Sequence, residues 1–221
     1  MANFFPSWTN ALPWKIAVCA TLLGASIVAG LTYYFTPKYT RVGYQPLQPV
    51  PFSHALHVGE LGMDCRFCHS AVEVAAHSNL PTAQTCMACH QQVKATSPRL
   101  DAVRAAWNGG NADGPPVRWT QVHQLPDYVY FNHAAHVNRG VSCYSCHGAV
   151  NEMSVVFQSE PQSMKWCLDC HRAPENQLRP QSEVFNLTWK AESPATQQEL
   201  GTKFKHEWDV NPPTNCGGCH R

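Results

Sequence analysis

Along this chain of 221 residues the apolar positions form one long block and then break into fragments. From Ile16 to Phe35, IAVCATLLGASIVAGLTYYF, no charged residue interrupts 20 positions. As a helix that block spans about 30 Å, the thickness of the hydrocarbon core of a bilayer. Aromatic side chains bracket it, with Phe4, Phe5, Trp8 and Trp14 before it and Tyr33, Tyr34, Tyr39 and Tyr44 at its end and beyond, as at the two interfaces of a membrane. After residue 36 no stretch alternates, or keeps a helical period, for long. The apolar groups there are short, in a chain carrying 17 Pro and 13 Gly with charged residues at only 14%. The pattern predicts one transmembrane helix over about 16–35, an anchor region 1–36, and a mostly irregular region 37–221 with short α-helices.

The cysteines show what such a region is built around. Five copies of Cys-x-x-Cys-His recur: Cys65 to His69, Cys86 to His90, Cys143 to His147, Cys167 to His171 and Cys216 to His220. Each is the attachment pattern of a c-type haem. Cysteines three apart lie on one side of a helical turn, where Cys65 and Cys68, Cys86 and Cys89, Cys143 and Cys146, Cys167 and Cys170, or Cys216 and Cys219 can meet the two vinyl edges of one porphyrin. The following His69, His90, His147, His171 or His220 then points at the iron. Structural zinc and disulfides also use Cys pairs, but neither requires the His, and five pairs would leave one zinc half-site over. Only Cys19 of the 11 cysteines stands outside the motifs. It lies inside the apolar block, after Val18 where a lipidation site would want a small residue, and reads as a packed or lipid-facing thiol.

A cleaved signal peptide is the competing reading of residues 16–35, with Val28-Ala29-Gly30 as a tolerable cut. The expectation is an uncleaved single-span anchor. Charge does not orient it, since Lys15 on one side faces Lys38 and Arg41 on the other. Haem attachment does, because in bacteria it takes place outside the plasma membrane. The haem region is therefore expected on the periplasmic side of a bacterial plasma membrane.

An internal repeat organises the rest. Phe52-Ser-His54-Ala-Leu-His57 precedes Cys65, and Phe131-Asn-His133-Ala-Ala-His136 precedes Cys143, each followed by a second motif. Two dihaem modules are expected over roughly 45–96 and 117–176, joined by the turn-rich link Asn108 to Pro116, with an arm 177–221 that carries the fifth haem and folds back on a module. At about 37 residues per motif the chain is too sparse to wrap each haem separately, so stacked haems are expected to form the core.

Each iron needs a sixth ligand, and its type sets what the haem does. His54, His57, His133 and His136 are the expected distal ligands, since two His three apart share a helical face and can reach two haems. For the fifth iron His123 comes first, with Met153 and then Met164 as alternatives. His77 and His206 read equally well as solvated side chains. The polypeptide carries a net +1; ten propionates and five ferric centres would bring the oxidised protein to about −4, and nothing supports nucleic-acid binding.

The stretches PFSHALHVGELGMDCRFCHS, LPTAQTCMACH, VHQLPDYVYFNHAAHVNRGVSCYSCHG, SMKWCLDCHR and NCGGCHR, following a membrane anchor, resemble the pentahaem membrane-anchored cytochrome c subunit of alternative complex III. The Phe-x-His-x-x-His module also resembles class III multihaem cytochromes. The resemblance implies an electron-transfer subunit, not itself an enzyme, in a quinol-oxidising complex. Iron-sulfur and quinone-binding subunits would feed it, and a periplasmic cytochrome c, blue-copper protein or oxidase would take its electrons. The alternative is a self-sufficient membrane-anchored quinol dehydrogenase feeding a periplasmic reductase. Against it, 29 residues separate Phe35 from Cys65. A reductase with an open iron is disfavoured because distal His candidates outnumber the haems.

Intact-mass spectrometry of the mature subunit is expected to show the polypeptide plus five covalent haem masses; fewer than five would remove one or more motifs from the list.

Overall fold

The computed structural model describes residues 5–35, 41–111 and 114–220. Phe4, Lys38 and Tyr39 of the bracketing residues, the expected boundary at 36/37, and Ala112 and Asp113 of the link lie outside them. The chain falls into two compact units, Met1–Val42 and Gly43–Arg221.

In the first unit a 3-10 turn, Ser7–Ala11, leads into helix α1, Leu12–Phe35. The helix starts four residues before the uncharged block, because Pro13 falls in the first turn, where its missing N–H costs nothing, and Lys15 is a good helix former. Its 24 residues make about 36 Å. Thr21 turns its hydroxyl back onto Ala17 O at 2.9 Å, so that hydroxyl needs no water. The segment Ser7–Phe35 is long and apolar enough to cross a membrane, and none of its side chains is buried within the protein.

The second unit is built of short helices: α2 Cys65–Cys68, α3 Ala83–His90, α4 Asp101–Trp107, α5 His133–Val137, α6 Tyr144–His147, α7 Met164–Arg172, α8 Pro194–Glu207 and α9 Cys216–Cys219. Among the described residues there is no strand, only the isolated bridges Val129 with His220 and Val141 with Leu178. The two copies of the repeat differ locally. His133–Val137 is α-helical, whereas Ala55–Glu60 winds as a wider π-turn, a distortion common at functional sites.

Three small apolar clusters replace one core. Val50, Met87 and Val103 form the first, with Trp107, Val117 and Trp119 packed on it. Residues 117–120, read from sequence as the start of the second module, therefore pack with the first: Gln48 and Thr120 exchange hydrogen bonds of 2.8 and 2.9 Å across the return of the chain. Val72, Val137 and Val184 form the second cluster, drawing on both repeats and the arm. Leu178, Phe204 and Val210 form the third, against Val141. The arm thus folds back on residues 137–141, where Arg179 N donates to Gly140 O at 3.0 Å.

Helix α8 is locked on the turn Pro174–Asn176. Gln197 donates to Glu175 O and Leu178 O (3.1 and 2.8 Å), and Lys205 pairs with Glu175 at 2.9 Å. Gly201 lies where these backbones touch; a Cβ there would overlap Glu175 O. Helix propensity alone predicts that Gly201→Ala stabilises α8 by about 1 kcal/mol. The packing predicts the opposite sign, a loss of roughly 1–3 kcal/mol from overpacking, readable as a lowered Tm of the holoprotein.

Candidate haem centres

A cap starts each Cys-x-x-Cys-His turn. Asp64 accepts from Arg66 N at 2.8 Å and Asn215 from Gly218 N at 2.8 Å. Ser142 accepts from Tyr144 N at 3.2 Å while donating to Val184 O at 2.8 Å. These caps directly precede the first cysteine, so the first, third and fifth motifs occupy single turns. Thr82 and Ser163 stand four residues ahead of Cys86 and Cys167 and accept from Thr85 N and Trp166 N, which gives the second and fourth motifs the longer helices α3 and α7. That difference was visible in the sequence as cap spacing and went unread. The motif His closes the turn in three cases, its N–H donating to the first cysteine's carbonyl: His69 to Cys65, His147 to Cys143 and His220 to Cys216, at 2.8 to 2.9 Å.

None of the 11 cysteines pairs with another in a disulfide. Among the described residues no group of three or more His, Cys, Asp or Glu side chains converges as a metal site, so the pairs do not assemble the four-ligand tetrahedron of structural zinc. Burial pushes the Cys143 thiol up to about 11 and Cys146 to about 12, which marks the third motif as deeply enclosed.

The imidazoles have the geometry an axial ligand needs. Nδ1–H of His69 donates to Asn79 O, that of His90 to Val93 O and that of His171 to Pro213 O, at 2.8, 2.8 and 2.7 Å. On the other side His57 donates to Ser53 O, His133 to Ala76 O and His136 to Asn132 O, at 2.8, 2.8 and 2.7 Å. A carbonyl can only accept, so Nδ1 carries a proton, and in the neutral form of the ring the lone pair then sits on Nε2, where a metal would bind. Burial holds His133 and His136 below the usual imidazole range and His147 down at about 3, which keeps these rings neutral, as ligation requires.

The rings lie across from one another in pairs at different tilts, 61° for His57 with His90 and 36° for His136 with His171. His57 and His90 are 6.2 Å apart between ring centres, His133 and His147 6.5 Å with planes only 5° apart, and His136 and His171 6.1 Å. Two metal–nitrogen bonds of about 2 Å, with each ring centre about 1.1 Å behind its nitrogen, require about 6.2 Å. The donor sets therefore fit a six-coordinate haem iron. His54 completes the series: burial, then the neighbouring His69, then His57 pull it down to about 4, and its Nδ1 is buried without a partner in the protein.

Phe52 and Phe131 brace both distal pairs. Phe52 stacks on His57 at 4.4 Å and meets His54 edge-on at 4.8 Å; Phe131 stacks on His136 and meets His133 edge-on, both at 4.7 Å. The repeat contained this signal in the Phe two residues before each first His.

The remaining candidates separate. His123 turns Nε2 toward Nδ1 of His147 at 3.3 Å, with the rings perpendicular and 4.3 Å apart. It stands behind a motif His rather than across from one, and the nitrogen expected at an iron faces another imidazole. Met153 is buried, with its methyl beside Gly148, next to the third motif. Met164 is exposed at the start of α7, one turn ahead of Cys167, whose thiol neighbours that of Cys219. His220 has the ring of Tyr128 at 5.7 Å. His77 lies near His133, and His206 sits in the last turn of α8.

Residues 50–107 and 129–221 match the family described as cytochrome c7 and related cytochrome c. The menaquinone reductase multiheme cytochrome c subunit of Nitratidesulfovibrio vulgaris is 31% identical over 185 residues, covering 80% of this chain and 78% of that protein. With its Cys-x-x-Cys-His turns and paired imidazoles, the chain belongs to the cytochrome c7 and related family of multihaem c-type cytochromes.

Proposed function

We propose that this chain is the electron-transfer subunit of a membrane quinone oxidoreductase, binding five c-type haems and relaying single electrons between quinone-handling partner subunits and a periplasmic redox protein. The observation that carries the reading is the set of three imidazole pairs 6.1 to 6.5 Å apart, each ring with its Nδ1–H held by a carbonyl or, for His147, by His123. Bound haem supplies an iron that cycles between ferric and ferrous and exchanges electrons with its neighbours. The cysteine pairs of the five motifs would anchor it, with His54 opposite His69, His57 opposite His90, His133 opposite His147 and His136 opposite His171. Imidazoles on both faces leave no position for a substrate atom, and protons locked on Nδ1 by carbonyl acceptors stay where they are. Such a site carries charge and makes no bonds.

His123 takes the role of acceptor behind His147, orienting that ring as the carbonyls orient the others. For the fifth motif this leaves the thioethers, of which Met164 lies toward Cys219 through Cys167.

The anchor α1 and the resemblance to the alternative complex III subunit support a place in a quinol-oxidising complex with iron-sulfur and quinone-binding subunits and the haem unit on the periplasmic side. The name of the Nitratidesulfovibrio relative, a menaquinone reductase subunit, favours a second reading in which electrons run the other way. In the purified complex, quinol should reduce these haems, and quinone-site inhibitors should stop it. Rapid quinone reduction by pre-reduced haems with no quinol oxidation would establish the second direction, and quinol oxidation by the isolated chain would make it a self-sufficient dehydrogenase.

Two substitutions separate the His roles. His133→Ala is expected to convert one haem from low-spin to high-spin and bind carbon monoxide. His123→Ala is expected to leave every haem low-spin while shifting the midpoint potential of one. A high-spin signal in the His123 variant would return it to the axial ligands.

A further inference from the structure

On the reading of five bound haems, we infer that the binding motifs follow one another in space in the order second, first, third, fourth, fifth, so that the redox chain begins and ends at His90 and His220 and the two repeats are joined through the first and third motifs.

Each link rests on a separate contact. The second and first motifs share the turn carrying His54 and His57: His57 faces His90 at 6.2 Å, and His54 neighbours His69. The third and fourth share α5, whose His133 and His136 face His147 and His171 at 6.5 and 6.1 Å.

The first and third meet on one short segment, residues 73–79, immediately after the first motif. His69 donates its Nδ1–H to Asn79 O at 2.8 Å, and His133 donates its own to Ala76 O at 2.8 Å. The same segment binds the start of α5 through its backbone, His133 N to Ala76 O and Ala134 N to Ala75 O at 3.1 and 3.2 Å, and Asn138 donates to Glu73 O at 2.8 Å. A ligand of the first motif and a ligand of the third are thus fixed three residues apart on one strip of backbone. Nearest neighbours along the chain would instead have put the second motif beside the third.

The fourth and fifth are tied by His171, which donates to Pro213 O at 2.7 Å. Pro213 lies three residues before Cys216, and its ring fills the space where Gly218 lacks a Cβ. Exposure follows the same order: of the ten motif cysteines only Cys89 and Cys216 are exposed, one in each end motif. The ends of the row are where electrons can enter and leave; the middle is closed.

Iron positions in the wild-type holoprotein, from anomalous diffraction at the iron edge or from cryo-electron microscopy, test this order directly. The expected result is a row of five in which the iron bound by His147 has those of His69 and His171 as its two nearest neighbours, and the irons of His90 and His220 have one near neighbour each. Five irons with that of His90 beside that of His147 would overturn the order and leave the proposed function intact. Fewer than five irons, or irons without a second His on His90, His147 and His171, would overturn the proposed function itself.

Discussion

Two imidazoles held across from one another, each with its Nδ1 committed to a hydrogen-bond partner, are the arrangement on which the rest of the Gly43–Arg221 unit depends. A metal gathers two nitrogen lone pairs only if both rings stay opposed, and a carbonyl 2.7 to 2.8 Å behind a ring fixes its tautomer and plane without adding charge. The carbonyls are not all local. Asn79 lies ten residues from His69, Pro213 lies 42 from His171, and Ala76 lies 57 from His133. Each long-range contact both orients an imidazole and joins two distant stretches of chain.

That double use explains how so little regular structure gives a defined site. The three apolar clusters are small, and the motif helices α2, α6 and α9 have four residues each. Turns this short are not stable alone. Caps start them, and Phe52 and Phe131 press on the distal imidazoles from one side. Helix α8 clamps the turn after α7 through Gln197 and Lys205. Haem-bearing turns thus belong to a network of side chain to backbone contacts, with stacked rings as its nodes.

The chemistry such a network permits is narrow. Paired imidazoles suit a closed iron centre built for electron transfer, in keeping with a multihaem c-type cytochrome family. His147 is distinct within it: an imidazole, His123, stands where the other motif histidines with an assigned acceptor have a carbonyl. Burial also holds His147 down at about 3, at the point where the two repeats meet. A different acceptor there is a means to set the potential of a central site apart from its neighbours.

The sequence alone determined the family chemistry, a multihaem c-type cytochrome, because its motifs are written in local spacing: Cys-x-x-Cys-His five times, Phe-x-His-x-x-His twice, and one uncharged block long enough to cross a bilayer. It also held the cap positions that make α3 and α7 longer than α2, α6 and α9. Which imidazole faces which was not legible, since the opposed rings come from separate elements and their hydrogen-bond acceptors from others. His123 shows the limit: ten residues before His133 it reads as a candidate ligand, and only the fold places its Nε2 3.3 Å from Nδ1 of His147. The same holds for residues 117–120, which pack with the first repeat through Gln48, and for the strip 73–79 that carries contacts from both repeats. Motifs are local and survive in one dimension; the order in which they meet depends on long-range backbone hydrogen bonds that no spacing records.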